Sequence, residues 1–398
     1  MANLNHIARN KKIVIVAGIS ALIILGATLL WKTLLSAKDF EITDDLGGNI
    51  FPSAILSTAT TDSNIILPSE TPYLGNPKSV ISIKLMSPTP NSRVRIEVSE
   101  TPFFRQSVSE FVLPRKKTDY TLYPDIIWNY EALRKNDQAE PISVAIKVEV
   151  NGKDVGQRVR TFSVRSINEC LIGYMGRDNR YHNTYEFFAA YVNEENPLID
   201  HILREALNTR IVNRFSGYQN RKPGMVDKQV YALWNVLQKR KFRYSSISYS
   251  SLSSNVVYSQ RVRTFDDALK SSQINCVDGS VLFASLLRAI NIDPILVRIP
   301  GHMFVGYYTD HSHRKANYLE TTMIGDVDLD DFFPEEKLDS TSVGKSQNEM
   351  SLLTFEKSKE YAMNKFMAHS KFIHSNNRQY MYLEISKATR RKIQSIGK

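Results

Sequence analysis

Hydrophobic and polar positions divide this chain into four stretches. The first holds an apolar run from Ile13 to Trp31, 19 residues without a charge. A helix over it would span roughly 28 Å at about 1.5 Å per residue, close to the hydrocarbon thickness of a bilayer. A cleaved leader has a shorter apolar region, about 7–15 residues, and small residues at its cleavage site. Leu35-Ser36-Ala37 has a large residue at the first of these positions. The pattern therefore predicts an uncleaved transmembrane anchor that meets lipid through residues 13–31. Arg9, Lys11 and Lys12 precede the run, whereas Lys32 and Lys38 are followed closely by Asp39 and Glu41. By the positive-inside rule residues 1–35 become a cytoplasmic N-terminus and anchor. The chain is then expected to be single-pass in the inner (cytoplasmic) membrane, with its C-terminal part periplasmic or extracellular.

Residues 36–75 are rich in Ser, Thr and Pro with weak periodicity, and are expected to form a stalk or linker. Between 76 and 165 the period becomes two. Val80–Leu85, Arg93–Val98, Val144–Val150 and Gln157–Val164 alternate apolar and polar residues, and Asn151-Gly152 is a hairpin signal. A small β-sandwich is predicted there. Residues 166–398 change to helical spacing at Tyr185–Asn193, Pro197–Thr209 and Met225–Arg240. Phe188, Tyr191, Trp234 and Leu237 read as core, because aromatic stripes at helical spacing are normally buried. The fold class expected overall is α+β: an N-terminal transmembrane helix, a β-sandwich, and a helical lead-in to an α+β domain.

Hydrophobic residues make up 42% of the 398 and charged ones 23%, which suits a folded chain with more than one core. The net charge of +10 points toward nucleic acid until its distribution is considered. Eight basic residues lie in 1–12 and 387–398 without an acid; the rest of the chain has 43 basic and 41 acidic side chains. No nucleic-acid partner is expected. Two cysteines exclude a disulfide framework. Asp310, His311 and His313 bring histidines to alternate positions, but no spaced fourth ligand accompanies them. Neither a metal nor a cofactor is expected.

The chemistry concentrates between Gln273 and Thr322. Asn275 suits an N-cap, and Cys276 then opens a helix over Val277–Ile290 that is apolar on nearly every face. Free N–H groups at a helix start favour a thiolate and can hold an oxyanion. Gly279 in the first turn permits close approach. Asp278 suits the dipole but opposes a neighbouring thiolate, so it should point away. Pro294–Ile299, His302–Tyr308 and Asn317–Thr322 read as strands. A hairpin register whose paired numbers sum to 622 places His302 opposite Glu320, with Cβ atoms about 4.5–5.5 Å apart. Singly, each of these residues reads as structural: a small core thiol, a satisfied histidine, a solvent-facing glutamate. Their order, helix start, strand and next strand, is that of nucleophile, base and orienting group.

Asn275–Ala289 resembles the nucleophile segment of the transglutaminase-like superfamily. Pro300–Gly306 resembles its histidine strand and Tyr318–Thr322 the strand of its third residue. The likeness is strongest over 225–325, reaches back to Phe188–Glu194 and continues through Tyr380–Ile396. It implies a papain-like core in a bacterial, membrane-anchored member, with Cys276 as nucleophile, His302 as base and Glu320 as orienter. Most members have Asp at the third position. Relatives supply an oxyanion side chain ahead of the nucleophile, for which Gln260 and Gln273 are both candidates. The activity implied is Cys-dependent acyl transfer on a protein or peptide substrate. Water as acceptor makes the chain a cysteine protease or amidase, the favoured outcome, and a lysine amine makes it a cross-linker. The alternative is a non-catalytic scaffold that docks a partner in a cell-envelope complex.

Overall fold

The computed structural model describes residues 40–397 apart from 69–70, 221, 241, 246–253, 272, 326, 337–343 and 376. Period-two alternation builds the N-terminal half. One sheet runs in the order Glu41–Thr43, Ser82–Met86, Asp119–Tyr123, Tyr73–Gly75. The other runs Asn49–Ile50, Lys153–Val164, Glu140–Val150, Ser92–Val98, Ser107–Leu113. Ile83, Leu122, Ile96, Val144 and Ile146 are buried from both sheets in one apolar core, as in a sandwich. The long hairpin closes at Asn151-Gly152, where Val150 pairs with Lys153. Both turn residues have positive φ, 51° and 76°, the geometry that Asn-Gly tolerates and that matches strand twist.

The stretch expected as a stalk is instead structural. Leu46, Ile50 and Phe51 are buried, and Pro52–Thr58 is a helix with all seven residues buried. It packs on the sandwich helix Tyr130–Lys135 at one side and on Glu169–Met175 and Tyr185–Tyr191 at the other. Its hydroxyls, which make the sequence look like linker, are satisfied internally. Thr58 Oγ1 donates to the Ala54 carbonyl at 2.8 Å, and Ser53 Oγ to that of Glu169 at 2.8 Å. The helix wedges the two halves together.

The expected transmembrane helix requires correction. Residues 13–31 lie outside the described residues, and among those described no helix is long and apolar enough to cross a membrane. The longest, Gln347–Ile373, has 27 residues but is interspersed with Lys and Glu on its exposed side. Among the described residues the fold is mixed α/β with no spanning helix, which overturns the single-pass inner-membrane placement.

The C-terminal half centres on an antiparallel sheet in the order Ala316–Leu319, His302–Tyr308, Pro294–Ile299, Met381–Glu384. Cys276–Ala289 covers one face, where Leu296, Met303 and Val305 join the main core. The long helix covers the other, packing Ala362 against Ile295, Val297, Phe304 and Tyr318. Burial from both sides explains why these strands are apolar almost throughout. Trp234, on Met225–Lys239, is fully buried and donates from Nε1 to Thr354 Oγ1 at 3.2 Å. The basic C-terminal segment is part of the fold. Arg390 pairs with Glu194 and donates to the Ala189 carbonyl at 2.7 Å, while Ile393 and Ile396 are buried.

If the wedge helix joins the halves, Ile55→Ala should destabilise the protein by about 2–4 kcal/mol, as buried isoleucine truncations do. A denaturant midpoint unchanged within about 0.5 kcal/mol, the range of exposed linker positions, would count against it.

Candidate active site

Asn275 is the N-cap of Cys276–Ala289. Its Oδ1 accepts from the N–H groups of Val277 at 2.9 Å and Asp278 at 2.8 Å. Asp278 closes the capping box by accepting from Asn275 N at 3.4 Å. The box consumes two of the helix's free donors and leaves the Cys276 N–H beside its own half-buried thiol. Asp278 does point away from the cleft. Its carboxylate, 1% exposed, pairs with the Arg263 guanidinium and accepts from Arg263 N at 2.8 Å. Gly279 makes room for protein rather than ligand: a Cβ there would lie 2.7 Å from Thr321 Oγ1.

The histidine strand starts from a two-residue turn. Ile299 pairs with His302 across Pro300-Gly301, and Gly301 has a φ of +73°. Pro followed by a positive-φ Gly is the type II arrangement, and it sets His302 at the first position of the strand. The neighbouring register differs from the sequence expectation. Val305 pairs with Leu319 and Tyr308 with Ala316, so paired numbers sum to 624 rather than 622. A slip of two residues preserves the face, whereas a slip of one would have reversed it. His302 and Glu320 consequently meet on a diagonal, with Nε2 to Oε2 at 2.6 Å.

Glu320 is fully buried and ends its strand as the N-cap of a short 3₁₀ turn, Thr321–Met323. Its second oxygen, Oε1, accepts from Thr322 N at 3.1 Å and Thr322 Oγ1 at 2.7 Å. Its backbone N–H donates to Ser358 Oγ at 2.8 Å from the long helix. With Nε2 occupied by the carboxylate, Nδ1 is the ring nitrogen left for the thiol. Burial acts to lower the His302 pKa, but hydrogen bonds to Cys276 and Glu320, reinforced by their charges, hold it up at about 10. The imidazolium is thus the favoured form at neutral pH.

Cys276 and His302 share a cleft of about 260 Å³ walled by Phe188, Val277 and Met303. Of the two candidate glutamines, Gln260 lines this cleft, carried by the strand Val257–Arg261. Gln273 is exposed on a two-residue strand and is not among the lining residues. Gln260 Nε2 donates to the Arg261 carbonyl at 3.1 Å, which uses one of its two amide hydrogens. Tyr244 forms the outer rim; its pKa is raised by burial and by the charges of Cys276 and Glu320. Asp310, His311 and His313 are otherwise engaged: His313 stacks on Tyr308 at 4.0 Å, and His311 lies beside Tyr218. Cys170 is buried and free, across the strand pair from Gln260. Sequence reasoning missed Thr322, Arg263 and Ser358. A Thr two residues after a strand-end Glu is a local capping signal. Ser358 is 38 residues from Glu320 and carried none.

These contacts set a pH dependence. A raised histidine pKa contributes stability that is complete below the unfolded value, near 6.5, and is lost as pH rises through about 10. NMR should find the His302 Cε1–H shift flat from pH 5 to 8 in the parent and titrating toward the ordinary range in Glu320→Gln. A parent midpoint near 6.5 would contradict the coupling. No protein-family model matches the chain, and no curated protein matches it.

Proposed function

We propose that the chain is a transglutaminase-like enzyme that carries out Cys-dependent acyl transfer, with hydrolysis of a peptide or amide bond as its outcome. The observation that carries this reading is the thiol–imidazole–carboxylate series: Cys276 at a capped helix start, His302 facing it, and buried Glu320 bonded to His302 at 2.6 Å. The Cys276 proton rests on His302 Nδ1 at neutral pH, and the Cys276 thiolate attacks the substrate carbonyl carbon. Glu320 accepts from Nε2–H and stabilises the cation that results. Negative charge moves to the carbonyl oxygen, where the Cys276 N–H and the second Gln260 amide hydrogen receive it. His302 then protonates the leaving nitrogen, the C–N bond breaks, and a thioester forms on Cys276. Water enters through the half-open cleft and gives a proton back to His302. Its oxygen bonds to the acyl carbon, and the C–S bond breaks to release the acid. A lysine amine in place of water would yield a cross-link by the same steps.

Cys276→Ala should remove all hydrolysis of a casein or peptide-amide substrate while leaving the thermal midpoint within a few degrees of the parent. Gln260→Ala should lower kcat by about 10²-fold, the scale of losing one oxyanion donor. At pH 6 iodoacetamide should modify Cys276 in the folded protein and spare Cys170, which is fully buried. Full biological function in Cys276→Ala, together with an inert Cys276, would assign the chain to the docking alternative.

A further inference from the structure

Several half-buried arginines of this protein are matched with carboxylates. Arg165 pairs with Glu169, Arg263 with Asp278, Arg288 with Asp293, and Arg390 with Glu194. Arg298 is different. It is half-buried, it lines the cleft with Cys276, and it forms no ion pair among the described residues. It sits on the strand Pro294–Ile299 paired with Met303, one position from the pair that His302 makes. Its Nη1 donates to Tyr185 Oη at 2.8 Å and to the Arg378 carbonyl at 3.0 Å, and its guanidinium carbon lies 5.4 Å from the Tyr185 ring centroid. Both hydrogen bonds use the same nitrogen. Nε and Nη2, one edge of the planar fork, donate to nothing among the described residues. Arg378 adds a second cation nearby, its guanidinium carbon 5.7 Å from the Tyr258 ring centroid and likewise without an ion pair among the described residues. Among the described residues no carboxylate side chain lines the cleft.

A guanidinium oriented by a tyrosine and a backbone carbonyl, with one edge open, suits a planar carboxylate held by two parallel hydrogen bonds. We propose that Arg298 is the specificity residue of the cleft and that it binds a carboxylate of the substrate. The substrate class is then a peptide or amide with a free carboxylate within about two residues of the scissile carbonyl. This rests on the acyl-transfer reading of the same cleft. The carboxylate has two sources, an acidic side chain on the acyl side or a peptide C-terminus on the leaving side.

The test measures protection of Cys276 from iodoacetamide at pH 6, quantified by mass spectrometry. One arm compares the reversible aldehydes acetyl-Ala-Glu-H and acetyl-Ala-Gln-H. The other compares acetyl-Ala-Ala-Ala as free acid and as amide. In one arm the anionic member should protect at about ten- to a hundredfold lower concentration than its neutral partner, the scale of a charged hydrogen-bonded pair. The arm that responds identifies the source. Arg298→Gln should abolish the preference, and Arg298→Lys, which keeps charge but loses the fork, should retain a smaller one. Should Arg298→Gln not fold, the lysine variant and the parent's own preference decide. Equal protection by acid and neutral members in both arms, or a preference that persists undiminished in Arg298→Gln or Arg298→Lys, would overturn the proposal and leave the acyl-transfer reading standing. A folded parent whose Cys276 is never labelled would remove both.

Discussion

A buried charge pair anchors the C-terminal half. Asp278 is 1% exposed, and an unpaired carboxylate at that depth costs several kcal/mol. It is tolerated because Arg263 meets it with both guanidinium and backbone N–H, and Asn275 adds a third donor. This contact fixes two things. It pins the start of the helix that carries Cys276, and it ties that start to Arg263, two residues beyond the strand that carries Gln260. The proposed nucleophile and its proposed oxyanion donor thus share one electrostatic clamp. The clamp also spends the negative charge of Asp278 away from the thiol.

Glu320 is held in a comparable way on the opposite side of the cleft. One oxygen is committed to His302 and the other to Thr322, while Ser358 fixes the backbone. The extra methylene relative to an aspartate fits because the strand stops at Leu319 and Glu320 caps a 3₁₀ turn. Gly279 lets that turn lie against the helix that begins at Cys276, through Thr321. The carboxylate's placement is therefore a matter of helix-to-turn packing as much as of strand pairing.

Much of this was legible in local pattern. The strands Pro294–Ile299 and His302–Tyr308, the cap at Asn275 and the Asn151-Gly152 hairpin all follow from periodicity and turn chemistry. So does the nearness of His302 and Glu320, because a register read two residues wrong still returns the same face. What could not be read depends on distant partners. Pro52–Thr58 looks like linker because hydroxyl-rich sequence is polar in isolation; only packing on both halves makes its burial favourable. Ser107–Leu113 hides as a strand because it turns serines inward and leaves Val108 and Val112 exposed. The choice of Gln260 over Gln273 needed the cleft itself.

The wedge helix has a consequence for the order in which the protein can form. Gln394 N donates to the Ser57 carbonyl at 2.8 Å, and Ile396 N to that of Ala190 at 2.9 Å. The strand Met381–Glu384 completes the sheet that holds His302. The Ser57 carbonyl thus waits for Gln394 before it is paired. On the ribosome the sandwich can close early, but the cleft cannot be assembled until Met381–Glu384 has emerged. A chain stalled or clipped before residue 380 would release a folded sandwich carrying an unfinished C-terminal half, its apolar strands exposed.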